Sequence, residues 1–376
     1  MHTKSVFFVG LLWLAFSCGP VASPDPSKGR GAQPSSAFVS PLLLEGPGEA
    51  SEADRIGDTI PMKYARNIVM VRFPDYTKVE LKDPWHEGKV LQTYFVKAPL
   101  TRSIVFTSAH CHLLYWLHAA DAVTGVCDKK YVKAPVKAVD CGDGMSPDVE
   151  KIISLHPHAM LVSPFENSGG HGLLEKTHIP IVETAEYMEA TPLGRAEWMK
   201  FYGLLYGRER EADSLFHVVD SNYQALCSKV RLTTTRPAIL TERKTGSVWY
   251  VPGGRSTMAQ IIRDAGGTHP FAADTHSGSL ALSPEAVVAC APTVDVWAFK
   301  HTNIKPLTRS QLLAEYHGYK AMKAFQSGKI FQCNTLQRPY FEESSFRPDL
   351  LLREFIIILH PELHLGSLRY YESTKF

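Results

Sequence analysis

Two hydrophobic grammars succeed one another along this chain. Residues 67–73 (NIVMVRF), 78–81 and 91–96 carry the short alternating runs of half-buried strands, and they predict an antiparallel group. From residue 103 onward, continuous apolar runs alternate with helical spacing. They predict strand 103–108, helix 110–120, strand 123–126, helix 147–155, strand 159–162, a short helix 173–177 and strand 179–183. The theme then returns: strands 237–241 and 247–251, helix 256–265 ended by Gly266 and Gly267, helix 284–289, strand 294–299, helix 310–316, strand 329–333 and a closing helix 349–358. Alternation of this kind predicts an α/β fold of two similar lobes, each a mostly parallel sheet covered by helices.

Between the halves lies a long helical region. Thr191, with Pro192 at the first helical position, opens a helix that runs to Tyr206, and after Gly207 a second runs to Val230. On the second, Ala212, Leu215, Phe216, Val219, Tyr223 and Leu226 form one apolar stripe. A helix of about 24 residues is roughly 36 Å long, enough to lie across both lobes as a spine. The expected organisation is an N-terminal lobe over residues 62–188, linking helices over 189–231 and a C-terminal lobe over 232–376.

Ahead of the lobes, Lys4 precedes an apolar run over residues 6–16, too short to cross a hydrocarbon layer about 30 Å thick and typical of an export signal over 1–17. Ser17-Cys18-Gly19 resembles the lipobox of bacterial lipoproteins, although Leu14 sits one place early and Phe16 is bulky. That resemblance implies a lipid on Cys18 as the sole attachment to a membrane; the alternative is ordinary cleavage near Ala22 or Ser23. Residues 18–61 are rich in Pro, Gly, Ser and Glu, with one apolar interruption at 42–44, and read as a flexible tether.

Composition changes the picture mainly by exclusion. Apolar residues at 44%, charged residues at 21%, and 40 Lys+Arg against 38 Asp+Glu exclude wholesale disorder and the basic surface of a nucleic-acid binder. Beyond Cys18, the cysteines at 111, 127, 141, 227, 290 and 333 fit no zinc spacing and read as buried free thiols.

One internal correspondence outweighs any single motif. Glu150 lies in the first turn of a short helix, followed by Pro157 and a strand; Glu285 lies in the first turn of another, followed by Pro292 and a strand. The helix dipole favours an acid at either place. The matched pair suggests equivalent acidic points on two lobes, suited to a pseudo-symmetric partner.

With the signal, the tether and the spine, this pattern resembles the binding proteins of ABC importers for ferric siderophores, haem and cobalamin. The phrases Leu193-Gly194-Arg195-Ala196-Glu197-Trp198, Pro252-Gly253-Gly254-Arg255-Ser256 and Arg347-Pro348-Asp349-Leu350 are similar to iron-compound binders of this class. The resemblance spans residues 62–376. It implies an iron chelate or a corrinoid held between the lobes, and a dimeric permease with its ATPase docked through Glu150 and Glu285. It implies neither catalysis nor a resident cofactor. Loops after strands should line the cleft, which nominates His110, Trp249, Tyr250 and Arg255, with Phe165 and Tyr340 behind them. Aromatic faces and a guanidinium suit large flat ligands that carry carboxylates or catecholates.

Two enzyme readings compete. Phe106-Thr107-Ser108-Ala109-His110-Cys111 and Asn167-Ser168-Gly169-Gly170 resemble segments of chymotrypsin-like proteases, but β-α alternation opposes the two antiparallel barrels which that chemistry uses. A metallohydrolase is prompted by His110 with His112, His156 with His158, and His360 with His364, yet the glutamate between the last two is displaced from the H-E-x-x-H arrangement.

Overall fold

The computed structural model describes residues 41–44, 57–165 and 170–374. The export signal and Cys18 lie outside the described residues. In the N-terminal lobe five parallel strands stand in the order Ile181–Glu183, Ala159–Val162, Ser103–Val105, Val123–Val126 and Val139–Asp140. The strands Ala159–Val162 and Ser103–Val105 are buried throughout, which is what a sheet covered on both faces requires of its middle. The C-terminal lobe orders Ile239–Thr241, Val296–His301 and Ile330–Asn334 in parallel, with Tyr371–Ser373 antiparallel at the edge. A separate antiparallel group joins Lys244–Thr245, Val248–Pro252 and Ser279–Leu282.

The tether expectation over 18–61 needs correction at two places. Leu42–Leu43 pairs with Val96 and Phe95, and Asp58–Ile60 pairs with Met70 to Arg72, so both segments belong to a five-stranded antiparallel sheet. Leu42 is 1% exposed. The apolar interruption in an otherwise polar stretch is therefore an edge strand, held by side-chain burial against its neighbour. Tyr94 of this sheet accepts a hydrogen bond at its hydroxyl from the Glu183 amide at 2.8 Å, tying it to the edge of the parallel sheet.

The predicted helix over 191–206 is two helices, Pro192–Glu197 and Met199–Tyr206, broken at Trp198. Thr191 caps the first by accepting from the Gly194 amide, and Gly207, at φ 62°, ends the second in the left-handed region where a side chain is strained. The spine follows as Glu209–Val230, 22 residues, with Ala212, Phe216, Val219 and Tyr223 buried as the stripe predicts. It packs against Met199–Tyr206 and against the closing helix Pro348–Leu359. Asn222 donates to Asp349 at 3.1 Å, while Arg347 grips the same carboxylate through two bonds of 2.8 Å.

Three buried glutamates clasp the chain at its joints. Glu197 accepts from the amides of Lys63, Tyr64 and Ala65, and Glu189 from those of Arg66 and Asn67 and from the Trp198 indole. Glu354 accepts from the amides of Arg369, Tyr370 and Tyr371 and so positions the last strand. A carboxylate saturated by backbone N–H groups is among the stronger neutral-to-charged arrangements a protein interior holds.

Candidate ligand cleft

In each lobe the parallel strands end on the same side, and one ion pair shows how those sides relate. Lys133, beyond the Val123–Val126 strand of the first lobe, donates to Glu342 at 2.6 Å and to the Thr335 carbonyl at 3.0 Å, directly after the Ile330–Asn334 strand of the second. The carboxyl edges of the two sheets therefore face each other. Helix Ser108–Trp116 of the first lobe also packs on helix Tyr340–Ser344 of the second.

The loops at these edges, and the helix Tyr340–Ser344, expose large apolar side chains. Met145 is 81% exposed and Phe165 39% in the first lobe; in the second, Ile304 is 86%, Phe341 52% and Leu336 50% exposed. Apolar groups gathered in strand-end loops mark a surface that expects company. Cations stand among them. Lys133, Lys300 and Arg338 all act on the buried Cys333 thiol, which burial pushes up to about 12. The Lys300 ammonium lies 4.9 Å from the Tyr340 ring centre and pairs with Glu242, while burial pushes it down to about 8. Lys133 and Lys300 are held by Glu342 and Glu242, so the exposed Arg338 guanidinium is the group of the three left for a ligand's oxygens, with the apolar faces for its body.

Comparison with known proteins now bears on this geometry. The sequence profile of the periplasmic binding protein family matches residues 105–335. The chain belongs to that family. It is 27% identical over 301 residues to the uncharacterized lipoprotein MJ0878 of Methanocaldococcus jannaschii, covering 75% of this chain and 70% of that one. Among solved structures, a periplasmic heme binding protein from Pseudomonas aeruginosa matches with a TM-score of 0.59 at 15% identity, covering 74% of this chain and 99% of its own. The periplasmic vitamin B12 binding protein BtuF of Vibrio cholerae matches with a TM-score of 0.54 at 14% identity, covering 70% and 98%. At these identities the structural matches establish a shared fold.

Within this periplasmic binding protein, two nominated ligand contacts turn out to be interior. His110 is 1% exposed. The Thr107 hydroxyl bonds its Nδ1, while Nε2 lies 3.0 Å from Glu186 and 2.9 Å from the Tyr202 hydroxyl, which itself donates to Glu186 at 2.9 Å. Burial works to raise the Glu186 carboxyl, but the charge and hydrogen bond of His110, with Arg195 and Tyr202, outweigh it and hold it below the usual carboxylate range. Arg195 continues the chain of contacts to Ser345 in the second lobe at 2.8 Å. His110 is thus part of the joint between lobes and not of the cleft wall.

Trp249 is fully buried, packed against Trp297 and Tyr319 in the core of the second lobe. Alternation along Val248–Pro252 sends it inward and leaves Tyr250 half-buried on the other face. Arg255 is exposed in the turn after that strand. The preceding glycines are there for space: a side chain on Gly253 would strike the His276 carbonyl, and one on Gly254 the Asp274 carbonyl. Tyr340 is 3% exposed, whereas its neighbour Phe341 is open.

Glu150 and Glu285 both stand exposed in first turns, of Val149–Ser154 behind the Asp148 cap and of Pro284–Cys290 behind the Ser283 cap. The six described cysteines are free, four of them buried. His360 bonds Glu362 and the Gly266 carbonyl, and among the described residues no three His, Cys, Asp or Glu side chains gather as a metal-holding group. The strand-end residues that sequence reading passed over are Lys133, Lys300, Ile304, Arg338 and Phe341: Lys300 lies near the end of strand Val296–His301, and the others follow a strand or its next turn.

Proposed function

We propose that this protein is the exported solute-binding component of an ABC importer, which captures an iron chelate, a ferric siderophore or haem, between its lobes and hands it to a dimeric permease. The observation that carries the reading is the pair of facing strand edges, joined by Lys133 and furnished with exposed apolar side chains and cations. Family membership and the folds shared with heme and vitamin B12 binders support it. Tyr250, Arg255, Arg338 and Phe341 are the proposed ligand contacts. An anionic chelate suits the cations better than a corrinoid does; a corrinoid is the second reading, favoured by the apolar loops alone. Absorption titrations with haemin, ferrichrome and cyanocobalamin separate these, since a perturbed spectrum at one equivalent identifies the cargo. If none of the three binds, the reading fails.

Delivery rests on Glu150 and Glu285. Replacing both with Ala should cost folding little, about 0.3 to 1 kcal/mol each from the helix dipole, and leave solute binding intact. Uptake should be lost, because an interfacial acid facing arginine leaves the partner charge unpaired when removed. Normal uptake by the double variant contradicts the docking role. Attachment rests on Cys18: the Cys18→Ser protein should leave the membrane fraction, and equal partitioning of both forms contradicts a lipid anchor.

A further inference from the structure

A cavity of about 330 Å³ lies between the spine, the start of helix Pro192–Glu197 and helix Thr257–Asp264, and shares no lining residue with the strand ends described above. Arg231, Arg236 and Arg263 line it, together with Gln224 and Gln260. We propose that this cavity is a binding site for a small, multiply charged oxyanion such as phosphate or a polycarboxylate, separate from the solute cleft.

Three guanidinium groups reach the cavity from three different stretches of chain. Arg231 caps the end of the spine, Arg236 lies in the segment leading into the second lobe, and Arg263 comes from the helix Thr257–Asp264. A cation at a helix C-terminus is favoured by the dipole, which accounts for Arg231 alone. The neighbouring carboxylates offset the group only in part, since one acid stands in the lining against three arginines. Asp264, the single acid in the lining, accepts from the buried Tyr223 hydroxyl at 2.7 Å, and Asp220 nearby is taken by Lys63 at 2.8 Å and the Tyr64 hydroxyl at 2.7 Å. Arg231 and Arg236 make no side-chain hydrogen bond or ion pair among the described residues, while Arg263 donates one N–H to the Gly254 carbonyl and keeps others free. Like charges brought together on a concave wall focus a positive potential, and planar guanidinium forks match the oxygens of phosphate or carboxylate two at a time. The two carboxamides supply further neutral donors at the same wall.

Calorimetric titration of the purified protein with inorganic phosphate and with citrate, at low ionic strength, tests the site. One saturable site is expected, weakened at least tenfold in the Arg231→Gln, Arg236→Gln double variant, whose changed side chains hold no structural bonds. Lys137→Gln, an exposed cation elsewhere, should bind as the parent does. Co-sedimentation with phosphatidylglycerol vesicles is the second arm: capture that needs the same two arginines and is competed by phosphate supports the site and assigns the anion to a lipid headgroup. Absence of saturable binding to phosphate, citrate and vesicles alike, or equal binding by parent and double variant, overturns the proposal. Because haemin, ferrichrome and cyanocobalamin binding is measured separately, failure here leaves the cleft reading standing, and the reverse.

Discussion

At the joint between the lobes, both carboxylate oxygens of Glu186, Glu189 and Glu197 have donors, whereas at the strand ends Glu342 Oε2, Thr241 Oγ1 and His301 Nε2 are buried with none. The two regions use the same residue types. A buried polar atom without a partner costs about 1 to 3 kcal/mol, so a fold keeps such atoms only where something else repays them. The glutamates of the joint are satisfied within the fold, although Arg195 Nε there has no partner; at the strand ends the carboxylate, hydroxyl and imidazole atoms themselves are left without one. The same division separates apolar groups, since Phe201 and Trp198 are fully buried at the joint while Ile304 and Phe341 stand open at the cleft.

The largest test of this contrast removes a clasp. Glu197→Ala leaves three backbone amides at residues 63–65 without their acceptor and should cost about 3 to 5 kcal/mol in urea unfolding, since bonds to a charged group are worth roughly 1.5 to 3 kcal/mol each and do not add fully. Glu197→Gln, which keeps an acceptor, should lose clearly less. A cost under about 1 kcal/mol for the alanine variant, well below one such bond, would mean the clasp is ornamental.

His269 sharpens the contrast from the other side, being interior, 5% exposed, and without a partner on either ring nitrogen. Burial, helped by Arg263, pushes its pKa down to about 4. Because the folded value lies below the unfolded value of roughly 6.5, the stabilisation is whole above that pH and disappears as pH falls toward 4, a loss of about 2 to 3 kcal/mol. Chemical denaturation of parent and His269→Leu protein between pH 7 and 4 should show a flatter profile for the variant; parallel profiles contradict it.

How much of this was legible in sequence follows from what each feature needs. The β-α order and the spine came from periodicity, because a buried parallel strand such as 159–162 and an amphipathic helix such as 209–230 announce themselves locally. Strands Asp58–Ile60 and Tyr371–Ser373 did not, being three residues long and mostly polar, and existing because a neighbour offers an edge. For the site, the helix-start position of Glu150 and Glu285 was readable. The inward turn of His110 was not, since its partners Glu186 and Tyr202 lie 76 and 92 residues away. In the three phrases that resemble iron-compound binders, structural roles account for most of the residues: Glu197 clasps residues 63–65, Gly253 and Gly254 admit a crossing loop, and Arg347 with Asp349 starts a helix.

A smaller effect concerns motion. With a 22-residue helix and the contacts from His110 through Arg195 to Ser345 crossing the joint, ligand should draw the lobes together by only a few ångströms. Distances between spin labels at Lys137 and Lys305, with and without cargo, measure it; a closure of ten ångströms or more contradicts a rigid joint.

The central claim is that the open strand-end groups, and not the sealed joint, hold the solute. The most direct measurement is the affinity of the cargo found by titration for three proteins: the parent, the Phe341→Ser, Arg338→Gln double variant, and Tyr202→Phe. The account predicts that the cleft variant unfolds within about 1 kcal/mol of the parent yet binds at least tenfold more weakly, a change of about 1.4 kcal/mol. It predicts the reverse for Tyr202→Phe, which should lose about 1 to 2 kcal/mol of stability and keep its affinity. Undiminished binding by the cleft variant, or loss of binding by a folded Tyr202→Phe protein, would contradict it.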